Sequence, residues 1–216
     1  ENCVSSAEIH VLSGAVYAGG IAGYDSGGVI QECSSEVEIS AESLDDDTVG
    51  AGGIVGDTSG KVDACTAAGT VYANGAESVY AGGIAGRASY TSGKSVTFSD
   101  CFNAGEVISA AENGAGALIG NMSGKGDSVL RVERCTLQDG TETTCAYALL
   151  SKVGDDIISV MKGNVYVNVN EPDQYLVCDG YWESNGCYVD TSLINPEIRN
   201  LDCSSKNGND CTYDVA

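Results

Sequence analysis

The chain of 216 residues has a mass of 22.0 kDa and a formal net charge of −21, from 31 acidic and 10 basic residues. This charge repels phosphate backbones and anionic lipid, so we expect no nucleic-acid partner. No apolar run approaches the roughly 20 residues that a bilayer span needs, so we expect no membrane insertion. The chain opens at Glu1 without a Met or a signal peptide, and we expect it to be a processed piece of a longer protein with further domains.

A glycine-rich segment recurs along the chain at intervals of about 30 to 34 residues. Its closest copies read Ala-Gly-Gly-Ile-x-Gly and begin at Ala18, Ala51 and Ala81. A weaker copy begins at Ala115 and a degraded copy at Ala146. Such a period indicates a repeat architecture in which each unit stacks on its neighbours.

The segments between the glycines are short and β-branched, and they alternate between apolar and polar residues. Examples are Glu8–Val11, Val37–Ile39, Thr70–Tyr72 and Glu106–Ile108. This alternation is typical of strands with one buried face. We predict about three strands per unit, separated by polar corners. The fold class is therefore all-β, a parallel β-solenoid (a three-sided β-helix) of about four to five coils of ~30–34 residues, stacked at the ~4.8 Å strand spacing.

Five cysteines recur in phase with the glycine segments, and an apolar residue stands three positions before each of the last four. They are Cys3, Cys33, Cys65, Cys101 and Cys135. We expect their side chains to point inward and to form a buried ladder. Neighbouring Cβ vectors in a parallel ladder run side by side, which suits a disulfide badly, so we favour reduced thiols. The sequence alone leaves their redox state open.

Polar insertions lengthen the third and fourth units. They lie near Tyr90 and Lys125, and we expect loops that project from one face of the stack and bind a partner. A further projecting turn contains three acidic residues, which are the candidate ligands for a calcium ion: Asp45, Asp46 and Asp47. A solvated turn is the simpler interpretation, and we expect no other cofactor.

Residues 153–216 depart from the repeat, so we divide the chain into solenoid repeats over 1–152 and a cysteine-rich C-terminal cap or small β extension over 153–216. An open solenoid end exposes unpaired strand edges that a cap would cover. Tyr181 and Trp182 are candidate binding residues within this tail. Two pairs of cysteines enclose short loops and are candidate disulfides: Cys178 with Cys187, and Cys203 with Cys211.

The residue types needed for catalysis are scarce. His10 is the only histidine, and no Cys-x2-Cys pair is present, which excludes histidine-rich and paired-cysteine zinc sites. No Gly-x-Ser-x-Gly motif accompanies the histidine, so serine catalysis has no support. Carboxylates are the only abundant functional groups, and a glycan-cleaving enzyme would need a convergent pair of them.

The succession of Gly-Gly-Ile-x-Gly, apolar-x-x-Cys and x3-Gly-x-Val resembles the GLUG-type repeat. The copies closest to it are Ala51–Val71 and Ala81–Val107. The resemblance implies a bacterial surface or secreted protein of the adhesin kind, or the non-catalytic N-terminal part of a secreted immunoglobulin-A-cleaving metalloprotease. It covers about residues 1–152 and implies no catalytic residues.

Two classes of function fit these observations. The first is an extracellular or cell-surface structural module that displays loops for a glycan or a host or matrix protein, and it is not an enzyme. The second is a β-helical lyase or hydrolase acting on glycans. Near-identical coils favour the first, because an active site needs several unlike residues in one place.

Overall fold

In the computed structural model, the described part of the chain consists of β-strands and turns. The residues described are 1–45, 47–75, 78–90, 95–110, 114–124, 128–138, 150–153, 157–162, 165–167, 175–177, 180–183, 186–188, 198–203 and 211–215. They contain 29 strands and no helix. No helix long and apolar enough to cross a membrane occurs among them.

The first four coils each contain five short strands. The first coil consists of β1 (Val4–Ser5), β2 (Glu8–Ser13), β3 (Val16–Gly19), β4 (Ala22–Asp25) and β5 (Val29–Gln31). The second consists of β6 (Ser34–Glu36), β7 (Glu38–Ser43), β8 (Val49–Gly52), β9 (Val55–Thr58) and β10 (Lys61–Asp63). The third consists of β11 (Thr66–Ala68), β12 (Thr70–Asn74), β13 (Val79–Gly82), β14 (Ala85–Tyr90) and β15 (Ser95–Ser99). The fourth consists of β16 (Phe102–Asn103), β17 (Glu106–Ser109), β18 (Ala115–Gly116), β19 (Ile119–Gly124) and β20 (Ser128–Glu133).

The remaining strands extend the stack and then change its character. A fifth coil begins with β21 (Thr136–Gln138), β22 (Leu150–Val153) and β23 (Ile157–Lys162). The strands that follow are β24 (Val165–Val167), β25 (Tyr175–Val177), β26 (Gly180–Glu183), β27 (Gly186–Tyr188), β28 (Ile198–Cys203) and β29 (Cys211–Val215).

Strands at the same place in successive coils pair in parallel and build five sheets, which we name A to E in their order along the coil. Sheet A has the order β1-β6-β11-β16-β21-β24-β25, and sheet E has the order β27-β26-β23-β20-β15-β10-β5. Sheets B, C and D have the orders β17-β12-β7-β2, β18-β13-β8-β3 and β22-β19-β14-β9-β4. The predicted parallel β-solenoid is confirmed, and each coil has five strands where the sequence analysis expects about three.

Parallel pairing continues beyond residue 152, where the sequence analysis places the end of the solenoid. Strand β23 pairs in parallel with β20, and β24 pairs in parallel with β21. The change comes later, since β25 pairs antiparallel with β24 and β26 pairs antiparallel with β23. Sheets A and E thus end in antiparallel strands, and β28 and β29 form a separate antiparallel pair.

The corner between sheets E and A depends on one residue in the left-handed backbone region. The residue before each in-phase cysteine has a φ between 49° and 54°, and none of the five is glycine: Asn2, Glu32, Ala64, Asp100 and Arg134. A left-handed residue turns the chain sharply, at a cost of roughly 1–2 kcal/mol for a residue with a Cβ. The cysteine that follows is small enough to fill the inside of this corner.

The interior is divided into two cores. One lies between sheets D and E and includes Ile54, Phe98 and the buried cysteines. The other lies between sheets B and C and includes Val49 and Val71. Sheets E, A and B therefore form an outer wall, while sheets C and D form an arch that enters between the two cores.

The backbones of sheets C and D are in direct contact, and this contact is possible because the residues between them are glycines. A Cβ built on Gly56 of sheet D would lie 2.6 Å from the backbone nitrogen of Ala18 in sheet C. One built on Gly52 of sheet C would lie 2.6 Å from the nitrogen of Gly86 in sheet D. Real Cβ atoms do not approach backbone atoms so closely, so these positions accept only a hydrogen. The recurring Gly-Gly-Ile-x-Gly segment is the closed end of this arch.

The tip of the arch rests on the inner face of sheet A. A Cβ on Gly53 would lie 2.7 Å from the Cβ of Ala67 in sheet A. In the next coil the equivalent of Ala67 is Asn103, whose Nδ2 donates to the carbonyl oxygen of Ala117 at 2.8 Å. The Asn103 Oδ1 accepts from the backbone nitrogen of Gly105 at 2.9 Å. One buried amide therefore joins the arch tip to the outer wall.

Replacing Gly56 with Ala tests the contact between sheets C and D. Its new Cβ would meet the carbonyl oxygen of Gly23 and the backbone of Tyr17 and Ala18, none of which can rotate away. We expect Gly56→Ala to lower the free energy of unfolding by about 3 kcal/mol or to prevent folding. Urea denaturation followed by circular dichroism measures the change.

The matched control is Gly14→Ala, whose Cβ would meet only the Asp47 and Asp45 side chains. We expect a change of less than about 1 kcal/mol, because an exposed carboxylate can move. Equal effects of the two substitutions would contradict the backbone contact.

Candidate functional site

The arch formed by sheets C and D is closed at its glycine tip and open at the other end, where it reaches the surface. Unlike side chains from four coils meet at this opening, which we call the arch mouth. Its residues on sheet C are Tyr17, Gly50 and Tyr80, and its residues on sheet D are Tyr24, Asp57, Arg87, Ser89 and Ser123.

Sheet C contributes a row in which tyrosine alternates with glycine. Gly50 is the register partner of Tyr17 in the first coil and of Tyr80 in the third. A Cβ on Gly50 would lie 3.1 Å from the Cδ1 of Tyr17 and 3.6 Å from the Cβ of Arg87. It would also lie 2.8 Å from the carbonyl oxygen of Gly56, so the space at Gly50 is already filled by the Gly56 backbone, the Tyr17 ring and the Arg87 side chain.

Arg87, in the third coil, crosses the mouth and forms hydrogen bonds with residues of the first and fourth coils. Its Nη1 donates to the hydroxyl of Tyr17 at 3.2 Å, two coils away. Its Nε and Nη2 donate to the Ser123 hydroxyl at 3.0 and 2.9 Å, in the following coil. The guanidinium fork thereby uses three of its five N–H groups on hydroxyls of the protein. This arrangement holds the guanidinium in one orientation.

Asp57 supplies the negative charge that faces Arg87. It is only 2% exposed, and its Oδ2 lies 3.8 Å from the Arg87 Nη1. The Ser89 hydroxyl donates to this carboxylate, with Oγ 2.7 and 2.9 Å from its two oxygens. Burial raises the pKa of Asp57, while the Ser89 hydrogen bond and the Arg87 charge oppose that shift in part.

An aromatic pair forms the outer lip of the mouth. The ring centroids of Tyr17 and Tyr24 are 6.0 Å apart and the rings are tilted by 44°. Tyr24 is 61% exposed, whereas its register partner Asp57 is almost completely buried. The mouth therefore offers an exposed aromatic face beside a partly exposed guanidinium.

This arrangement suits binding better than acid–base catalysis. Asp57 is the carboxylate at the centre of the mouth, and it is enclosed by Ser89 and Arg87 rather than open to a substrate. Glycoside cleavage needs two carboxyl groups that both reach the scissile bond. Aromatic faces with a few fixed hydrogen-bonding groups are instead typical of ligand recognition.

Two corners of the coil flank the mouth, and the insertions of the repeat occur there. The corner between sheets B and C connects β7 to β8, β12 to β13 and β17 to β18. The corner between sheets D and E connects β14 to β15 and β19 to β20, and these strands are longer than their equivalents in the first two coils. The described strands that these connections join end beside the arch mouth.

The predicted binding loops belong to these corners. Tyr90 is the last residue of β14, and Lys125 lies in the connection from β19 to β20. The side chain of Tyr90 and all of Lys125 lie outside the described residues. Asp45 and Asp47 lie in the connection from β7 to β8 and are exposed, and Asp46 is outside the described residues.

The described residues of the acidic turn, which leave out Asp46, form no metal site. A Cβ on Gly14 would lie 3.0 Å from Oδ2 of Asp47 and 3.8 Å from Oδ2 of Asp45, so both carboxylates lean over the first coil. Across the described part of the chain, no group of three or more His, Cys, Asp or Glu side chains is placed to hold a metal ion.

The predicted tail residues are located only through their backbones. Tyr181 and Trp182 lie on β26, opposite Val160 and Ser159 of β23. Cys187 lies on β27, and Cys178 is outside the described residues. Cys203 and Cys211 are register partners in the antiparallel pair of β28 and β29.

Four of the five in-phase cysteines are buried. Cys33, Cys65, Cys101 and Cys135 are at most 2% exposed. Burial is the main cause that raises the pKa of Cys65, to about 12. A hydrogen bond with Cys135, followed by burial, raises the pKa of Cys101 well above its usual value.

The thiols also join successive coils. The Cys65 Sγ lies 3.6 Å from the carbonyl oxygen of Ile30, and the Cys101 Sγ lies 3.6 Å from that of Val62. Each acceptor belongs to the preceding coil. These contacts are long and weak individually, and burial supplies most of the stabilisation.

The expectation that Cys3 belongs to the buried ladder is wrong, because Cys3 is exposed. Its coil has a described neighbour on one side only, so its thiol is not covered as those of the later coils are. Its Sγ lies 3.6 Å from the carbonyl oxygen of Glu1.

The sequence analysis missed the arch mouth, although a signal for it was present. The residue before each Ala-Gly copy alternates between tyrosine and glycine: Tyr17, Gly50, Tyr80 and Gly114. The residue after the last glycine differs in every copy: Tyr24, Asp57, Arg87 and Asn121. A repeat position that varies in this way is not held to one residue type by the glycine contact beside it.

Comparisons with known proteins found no relative. No family model matches the chain, and neither the curated proteins nor the solved structures gave a match. The resemblance to GLUG-type repeats therefore depends on the motifs quoted above.

Thiol labelling tests the cysteine ladder. The thiolate is the reactive form, so a pKa near 12 leaves Cys65 almost entirely protonated at pH 8. With a disulfide reagent at that pH, we expect peptide mapping to find native Cys3 labelled and Cys33, Cys65, Cys101 and Cys135 labelled only after addition of denaturant. Cys3→Ser removes the early-labelled peptide. Labelling of native Cys65 as fast as Cys3, or a peptide linking Cys33 to Cys65, would contradict the ladder.

The raised pKa of Asp57 predicts a distinct dependence of stability on pH. In the window above its unfolded value near 4, the folded state holds a proton more tightly than the unfolded state. The contribution of Asp57 to the free energy of unfolding is therefore largest at low pH and is lost as the pH rises through its folded pKa. We expect Asp57→Asn to remove this part of the pH dependence, measured by urea denaturation between pH 3 and 7.

Asp100 is the opposite control. Arg134 donates to it from Nε at 2.8 Å and from Nη2 at 2.6 Å and lowers its pKa. The contribution of Asp100 is thus present above its unfolded pKa and is lost as the pH falls. For each variant we take the free energy of unfolding relative to the wild type. As the pH rises, this quantity should change in one direction for Asp57→Asn and in the other for Asp100→Asn. The same direction for both would contradict the assignment for Asp57.

Proposed function

We propose that this chain is an extracellular structural and adhesive module of a larger bacterial cell-surface or secreted protein, and that it is not itself an enzyme. The coils form a stiff support, and the corners beside the arch mouth present loops that bind a glycan or a host or matrix protein. The single observation that carries this proposal is that the strands flanking the insertions of the repeat end beside a mouth made of unlike residues.

The support for a rigid scaffold comes from the way the coils are joined. Five parallel ladders connect each coil to the next, and the two cores run without interruption through the four complete coils. Because such a scaffold is rigid, a loop attached to it keeps a nearly constant position and orientation. Recognition residues are commonly held on loops in this way.

The support for an extracellular location comes from composition and from the resemblance to surface-protein repeats. A formal charge of −21 keeps a repetitive β-protein soluble and opposes edge-to-edge association with other copies. The enzyme alternative would require a second carboxylate that reaches a substrate together with a first. Asp57 does not meet this condition, because its oxygens accept from Ser89 and face Arg87.

A binding experiment with corner variants tests the proposal. The purified chain is applied to an array of glycans and matrix proteins, beside a variant in which residues 91–94 are replaced by the short Ser-Gly corner of the second coil, Ser59-Gly60. We expect the wild type to bind at least one component and the corner variant to lose at least about tenfold in affinity, because the replaced residues are part of the contact surface.

The matched control changes the outer wall. Tyr72 lies half-buried on the outer face of sheet B, and we expect Tyr72→Ala to bind as the wild type does. Loss of binding through Tyr72→Ala with none through the corner variant would contradict the proposal. Turnover of a glycan by the purified chain, abolished by one carboxylate substitution, would favour the enzyme alternative.

A further inference from the structure

The arch mouth combines an aromatic platform with fixed hydrogen-bond donors. Tyr24 is 61% exposed, and its ring lies at 44° to the ring of the partly exposed Tyr17. The Arg87 guanidinium stands beside them and is held by the Tyr17 hydroxyl and by Ser123. Gly50 lets the Tyr17 ring and the Arg87 side chain pack closely together at the mouth.

We propose that Tyr17, Tyr24 and Arg87 form a binding site for a neutral saccharide, an inference that rests on the proposed adhesive function and names its ligand class. One face of a pyranose ring is made of C–H groups and packs on an aromatic ring, while hydroxyls project from its rim. The site offers partners for both, since tyrosine rings provide the apolar surface and guanidinium N–H groups donate to hydroxyls.

Arg87 retains donors for a ligand. Three of its N–H groups are directed at Tyr17 and Ser123, and two more belong to the same rigid fork. Its side chain is 24% exposed, so part of the guanidinium is open to solvent. Because the protein already fixes the orientation of the Arg87 guanidinium, this side chain loses little conformational entropy when it binds a ligand hydroxyl.

Charge determines which saccharides fit. Asp57 lies 3.8 Å from Arg87 and offsets its positive charge, and the chain as a whole carries −21. A sulfated or uronic-acid saccharide would therefore meet a repulsive field with no unpaired cation at the mouth. A neutral saccharide suffers no such penalty.

The direction of the ligand follows from the repeat. Tyr17 and Tyr80 occupy the same register position two coils apart, which places them about 10 Å from one another along the solenoid axis. This is about the length of a disaccharide. A chain of sugars running along the axis would place one ring on the Tyr17–Tyr24 pair and a later ring near Tyr80.

Biolayer interferometry with immobilised hexasaccharides tests this site. The probes are cello-, manno- and xylohexaose as neutral ligands, and a heparin-derived hexasaccharide and a hexagalacturonate as anionic ones. We expect the wild type to bind at least one neutral probe and Tyr24→Ala to weaken it by at least about tenfold. Tyr24→Phe keeps the ring and should bind within about twofold of the wild type, as should the outer-wall variant Tyr72→Ala. Because Tyr24 is exposed, circular dichroism should show each variant folded.

The outcomes separate this inference from the proposed function. Neutral binding that Tyr24→Ala leaves unchanged, binding of anionic probes alone, or binding of no hexasaccharide would each overturn the saccharide site. The adhesive function would survive any of these results if the wild type bound a matrix protein and the corner variant did not. A wild type that bound neither saccharide nor matrix protein would overturn both.

Discussion

The backbone contact between sheets C and D is the constraint on which the rest of the fold depends. Two sheets packed face to face normally stand about 10 Å apart, because side chains fill the space between them. Here glycines such as Gly52, Gly56 and Gly86 bring the two backbones together with no side chain between them. The arch becomes thin enough to enter the coil, and it turns one wide interior into two narrow cores that are rich in valine, alanine and isoleucine.

Because the two cores are narrow, the corner between sheets E and A has little space. The chain must turn sharply from sheet E to sheet A while leaving room for the arch tip inside. A left-handed residue such as Ala64 makes the turn, and Cys65 fills its inner side with a small apolar group. The backbone strain recurs in each described corner of this kind, and in the four corners where a buried cysteine follows, that burial offsets it. The cysteine ladder is therefore a packing feature, and its thiols need no redox chemistry to explain their positions.

Features that follow from the period of the repeat could be predicted from the sequence. Features that depend on contacts between distant parts of the coil could not. A repeat of about 30 residues with alternating segments predicts stacked parallel strands, and the apolar residue before Cys65 or Cys101 predicts an inward thiol. The same glycines predict a close approach but do not identify the neighbour, so the arch, the five strands per coil and the exposure of Cys3 were not foreseen. The mouth was missed because Tyr17, Asp57 and Arg87 lie in different units, and only the register brings them together.

Near-identical coils predict the same residues at every level of the stack, but the arch mouth brings unlike residues together. The constraint acts on the glycines and on the inward positions, where a larger side chain would strike a backbone or overfill a core. One residue further on, at Tyr24, Asp57, Arg87 and Asn121, the chain leaves the glycine contact and the constraint ends. A strictly repeated frame therefore holds a row of unlike side chains at the ~4.8 Å spacing of its coils. The proposed recognition of an extended ligand would use this combination, because the exposed Tyr24 and the partly exposed Arg87 stand two coils apart at a known distance.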